Sequence, residues 1–172
     1  MKISVHAMSV ELLASALSNL SDILEKGHAH ALARKFDPAV LLSARLAPDM
    51  FPLTRQVQIA TDVAKAAVAR LAGQDPPKYE DNEQSFEQLH ARIARTLEFI
   101  RSIPASALEG SEERDIKVPA RDRTLEFKGL DYLRRYVIPN VFFHSSTAYA
   151  ILRHNGVELG KKDFLTGKGP AF

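Results

Sequence analysis

The chain contains no cysteine. Disulfides, thiolate metal ligands and a thiol nucleophile of its own are therefore excluded, and a cytoplasmic location is the expectation that accords with this. No apolar run approaches the ~20 residues needed to cross a bilayer. The opening "MKISVHAMSVELLASALSNL" is broken in helical rhythm by Glu11 and Asn19, with Asp22 soon after, unlike a secretory leader. It reads as part of the folded domain, and no membrane partner is expected. Charge of one sign is scarcely in excess: 23 Lys and Arg stand against 21 Asp and Glu, a formal net charge of +2. Both signs are interspersed, so no basic block follows a phosphate backbone and nucleic acid is not an expected partner. A glycine-rich phosphate loop, an internal repeat and a low-complexity tract are all missing.

What is present suits one globular domain spanning residues 1–172. The 172 residues are 45% hydrophobic and 26% charged, enough to enclose a single core. Four segments repeat apolar residues at helical spacing. In the first, Ser4 to Lys26, Val5, Met8, Leu12, Ala16, Leu20 and Ile23 share a face, and Gly27 reads as its stop. A connection with Pro38 and Pro48 follows. The second starts near Pro52, pre-set for a first helical turn, and carries Leu53, Val57, Ala60, Ala64, Val68 and Leu71, with Thr61 also inward. "QDPPKYEDN" forbids continuation. The third runs from Ser85, which with Gln88 resembles a capping box, through Phe86, Leu89, Ile93, Leu97 and Ile100. The fourth spans about Leu130 to His154, with Leu133, Val137, Asn140, Val141, His144, Ala148 and Ile151 on one face.

Between the third and fourth segments the period changes to two. In "RDIKVPARDRTLEFKG", Ile116 and Val118, then Leu125 and Phe127, alternate with polar residues around a polar turn. That pattern predicts a short β-hairpin, which must lie on helices to persist. The fold expected is all-α: a four-helix bundle with a small hairpin between helices three and four.

His144 is the candidate site residue. It lies one turn after Asn140, beside Pro139, whose missing N–H frees the carbonyl of Arg135 and invites a kink. One reading makes His144 a core or interface histidine bonded to Thr61 or Tyr132. The other makes it a metal ligand, but zinc, nickel or iron wants about three converging donors. The i−4 position offers Asn140, and the second helix offers Thr61 with Gln58 on its flank. His28 and His30 have ligand-like spacing in what reads as a loop after Gly27, with no third donor. His90 reads as a boundary residue next to Arg92, and His154 as a cation suited to a helix C-terminus. "RQVQIATD" (Arg55 to Asp62) gathers polar groups that read as surface or interface.

"MFPLTRQVQIATDVAKAAVARLAGQ" and "YVIPNVFFHSSTAYAILRHNGVELGKKDFL" resemble a bacterial family of unknown function, of DUF1993 type, within the DinB/YfiT-like superfamily. The resemblance runs from "MSVELLASALSNLSDILEKG" to "KKDFL". It implies an up-down-down-up four-helix bundle, often dimeric. It further implies a divalent metal on three histidines in many members, used with low-molecular-weight thiols in transferase or isomerase reactions. The second helix-four ligand falls on His144, the first on Asn140, and the helix-two ligand near Ile59, Ala60 and Thr61. One ligand of three is kept.

Three functions are therefore carried forward. The first is a small-molecule-binding protein, with no metal, whose pocket is Thr61, Asn140 and His144. The second is a metal-dependent enzyme with zinc, nickel or iron on His144. The third is a structural or regulatory homodimer. A homodimer is expected in each case, and the helical stripes do not rank the three, since fold does not imply function.

Overall fold

The computed structural model describes residues 4–120 and 122–170. Four long helices form the bundle: α1 (Leu12–Ala33), α3 (Leu53–Leu71), α4 (Phe86–Ser102) and α6 (Ile138–His154). The short helices α2 (Ala39–Ser43), α5 (Gly129–Tyr132) and α7 (Lys161–Thr166) stand between or after them. Helix α3 packs on both α4 and α6, and α1 packs on the same two, so α1 and α3 are diagonal partners across one core. None of these helices is long and apolar enough to cross a membrane, among the described residues.

Helix α3 shows how the pattern becomes a core. Pro52 precedes it in extended backbone, and Leu53, Val57, Ala60, Ala64, Val68 and Leu71 are all fully buried. The small alanines let the neighbouring helices approach closely, and the aliphatic residues fill the space between. Helix α4 begins where expected: the Ser85 hydroxyl accepts from Gln88 N–H at 3.3 Å. The reciprocal bond is displaced by one residue, since Gln88 Oε1 accepts from Gln84 N–H at 2.6 Å.

The hairpin forms as the period-two pattern predicts. Strands β1 (Asp115–Ala120) and β2 (Arg123–Lys128) pair antiparallel, with Ile116 opposite Phe127 and Val118 opposite Leu125. Arg121 lies outside the described residues. Ile116 and Val118 are buried, and Phe127 packs into a ring cluster with Tyr132 and Tyr136 at centroid distances of 5.7–5.8 Å. Gly129 begins α5 where a Cβ would run into the Ser111 carbonyl oxygen, so the hairpin can turn into the helix only through a residue without a side chain.

Three expectations change. Gly27 does not end the first helix. It lies inside α1, where its bare Cα admits Leu152 of α6 and the Phe86 ring. His28 and His30 therefore stand on a helix, about 200° apart around its axis, with their rings against Phe86 and Phe36 respectively. The buried stripe of α1 includes Leu13, Leu17, Leu20, Ile23, Leu24, Gly27 and Ala31; Leu20 and Ile23 are buried as predicted, whereas Met8 is exposed and Leu12 and Ala16 are only half-buried, their places in the core taken by Leu13 and Leu17. Finally, the fourth helix is not uniform. A π-helical turn, Leu133–Val137, separates α5 from α6 and comes immediately before Ile138 and Pro139, where the proline cannot donate to the regular ladder.

Candidate functional site

His144 points from α6 toward the first turn of α3 and is buried. Its Nδ1 lies 2.7 Å from Gln56 Oε1. Gln56 in turn donates Nε2–H to the Phe51 carbonyl at 2.9 Å. A carbonyl only accepts, which fixes the amide's orientation: the nitrogen faces Phe51 and the oxygen faces His144. The imidazole must then carry its proton on Nδ1. Burial lowers the His144 pKa, and the nearby Arg55 cation lowers it further. At neutral pH the ring is uncharged, with its lone pair on Nε2. No hydrogen bond to Nε2 is formed among the described residues, and the atom is not among the sealed polar groups lacking a partner.

One aromatic ring meets His144 directly, and a second exposed ring belongs to the residue whose carbonyl holds Gln56. The Phe143 ring meets the imidazole edge-on at 5.1 Å and is 58% exposed. Phe51 is 55% exposed, with the Arg55 guanidinium 5.9 Å from its ring centroid.

The partner foreseen for His144 is not the one found. Thr61 bonds within its own helix and accepts from Arg92 Nε at 2.8 Å, while Tyr132 accepts from Arg70 at 3.1 Å. Asn140 is half-buried one turn before His144, and its side chain makes no hydrogen bond among the described residues. Thus His144 and Asn140 share α6, whereas the Thr61 hydroxyl faces α4. The α3 residue opposite His144 is Gln56, about one turn before the Ile59–Thr61 stretch on which the resemblance placed a ligand.

Arg92 builds a second polar centre that sequence reasoning missed. It is buried, and besides Thr61 it reaches Asp62 (2.8 Å), Asp81 (3.0 Å), Glu83 (2.9 Å) and the Glu80 carbonyl (2.9 Å). Burial opposes its charge, but the Glu83 hydrogen bond and the three carboxylates outweigh that and hold its pKa above the ordinary value. Gln58 joins by donating to Glu83 at 2.9 Å. Tyr79 lies under Lys65 at 3.7 Å and Arg95 at 4.1 Å. These contacts tie the proline-containing connector to the bundle. "RQVQIATD" is accordingly no surface flank: Gln56, Gln58 and Thr61 are buried because α3 is enclosed by α4 and α6.

The residues around His144 do not fit the divalent metal of the DinB/YfiT-like superfamily. His144 offers a single lone pair, on Nε2, the i−4 residue is the amide Asn140, and no three of His, Asp and Glu converge among the described residues.

The comparisons decide the family. Residues 5–165 match a domain of unknown function (DUF1993). The chain belongs to the DUF1993 family. A crystal structure described as a DinB family member protein, from Shewanella denitrificans, is 40% identical, with a TM-score of 0.88 over 98% of this chain and 95% of that one. No curated protein matched the chain. The DUF1993 chain thus has the DinB-like bundle that its helical stripes predict, with a hairpin added.

Proposed function

We propose that this DinB-like protein binds a small molecule, without a metal, at the mouth of the His144 site. The observation that supports the reading is the fixed tautomer. Gln56 holds Nδ1–H, which leaves Nε2 as an acceptor beside Phe143, with Asn140 one turn away. A ligand that donates a hydrogen bond to Nε2 and lays an apolar body against the Phe143 ring suits that arrangement. Thr61, part of the expected pocket, acts through the Arg92 centre instead, by fixing α4 against α3. We carry the homodimer forward in the same proposal.

The test is a thermal-shift panel of small thiols, phenols and carboxylates at pH 7.5, with metal analysis of untagged protein. A phenol or thiol at about a hundred times its Kd should stabilise the native state by ~2.7 kcal/mol, and His144→Leu should lose the shift. Stoichiometric zinc, nickel or iron that disappears in His144→Leu would instead favour the enzyme, and a panel with no hit would sink the binding reading. Sedimentation of the 19.1 kDa chain at twice its mass is expected for the homodimer.

A further inference from the structure

On the other side of α6, a cavity of about 250 Å³ opens between α1, α6 and α7. Its inner wall is Leu12, Ala16 and Ile23 from α1, Phe142 and Ser145 from α6, and Phe164 from α7. Ser145 is 2% exposed, and its hydroxyl is the one sealed side-chain polar atom without a hydrogen-bond partner among the described residues. The contrast with its peers is informative. Ser9, Thr61, Thr96, Ser111 and Thr147 are also buried, and each donates to a carbonyl three or four residues back. Ser145 has the same local option and does not take it. An unpaired buried hydroxyl is unfavourable, so a partner from outside the protein is what this position lacks.

The cavity also explains the face of α1 that the sequence made apolar beyond the needs of the core. Leu12 and Ala16, taken from the pattern as core residues, are half-buried and sit in its wall, while Leu20 and Ile23 line it from within the core that Leu13, Leu17 and Leu24 share. No charged side chain lines the cavity. The volume exceeds the ~150 Å³ that suffices for benzene. One wall is a short helix: α7 has no fully buried residue and is held by Phe164, whose ring packs on Phe142 and Tyr149, and by polar tethers, Lys26 to Asp163 at 2.6 Å and Asn19 to the Leu165 carbonyl at 2.9 Å. Exposed tethers of this kind open locally at small cost.

We infer that this cavity is a binding site for a small uncharged amphiphile, an aromatic or hydrocarbon body bearing one hydroxyl or carbonyl that pairs with Ser145. The inference does not depend on the His144 proposal, because the cavity lies against α1 and α7 and His144 faces α3.

The experiment uses the full chain with methyl labelling and three probes: 4-ethylphenol, ethylbenzene and 4-ethylbenzoate. 4-Ethylphenol should shift the Leu12 and Ile23 methyl signals saturably. Ser145→Ala should weaken it roughly fivefold to tenfold while leaving ethylbenzene unchanged, and 4-ethylbenzoate should not bind, for want of a cation to offset its desolvation. Ala16→Phe should block all binding, and His144→Leu should block none. Three results would overturn the inference: no saturable shift with any probe, equal binding of 4-ethylphenol to Ser145→Ala, or shifts at these methyls that follow protein dilution, which would mean that a second copy covers the cavity.

Discussion

Replacing Gln56 with leucine tests the reasoning about His144 most directly. The substitution keeps the volume beside α6 but removes the acceptor that the imidazole Nδ1–H has among the described residues. His144 is 8% exposed, so water replaces that acceptor poorly, and an orphaned buried donor costs about 1–3 kcal/mol. The Phe51 carbonyl also loses its donor, but Phe51 is exposed and solvent makes good the loss. His144→Leu should cost a similar amount by stranding Gln56 Oε1. The double variant removes both polar partners and should fall well short of the sum, with a coupling energy of about 1–3 kcal/mol. For a chain of this length each kcal/mol moves Tm by about 2–4 °C, so urea denaturation and calorimetry both resolve the effect. Imidazole ¹⁵N spectra supply an independent readout: Nδ1 protonated in the wild type, mixed tautomers in Gln56→Leu. Additive single effects, or a wild-type ring protonated on Nε2, would refute the clamp.

Arg92→Met should destabilise by about 3 kcal/mol, toward the lower end for breaking a buried ion network, because Asp62 and Asp81 reach solvent while Glu83 does so far less. Amide exchange should rise first in the connector around Glu80 and Glu83, and Arg92→Lys should recover only part of the loss, lacking the guanidinium fork. Stability should also fall as pH drops from 7 to 5. The native pKa values of His144 and His90 both lie below their ordinary value, chiefly through burial. Below the unfolded value of about 6.5 the unfolded chain binds more protons than the native one. The stabilisation is thus fully present above that value and is lost as pH falls through the native ones. His144→Leu should shrink the dependence to the share of His90; an unchanged urea-midpoint profile would count against a neutral His144.

How legible each part was depended on how many neighbours a helix face has. Helix α3 packs between α4 and α6, so its simple stripe of Leu53 to Leu71 was readable without the tertiary structure, whereas its amides, read as surface or interface, proved buried because a second neighbour covers the flank of that stripe. Gln56 carried a usable signal, a polar residue one turn before the inward Ala60 and one residue before the inward Val57. Arg92 did too, since it falls three residues after Leu89 on the inward side of α4. Its partners Asp62, Asp81 and Glu83 are scattered along the chain, and nothing local brings them together.

Periodicity in this sequence determined the four long helices, the presence of the hairpin and a four-helix core, because burial of one face at period 3.6 or 2 is a local demand that each segment meets alone. Only the tertiary structure decided that Gln56 rather than Thr61 meets His144, that Gly27 continues α1, and that the Leu12–Ile23 face encloses a cavity with Ser145 in its wall. Those outcomes depend on the rotation and separation of packed helices, which differ by an ångström or a single residue's turn, and a helical pattern is nearly unchanged by either.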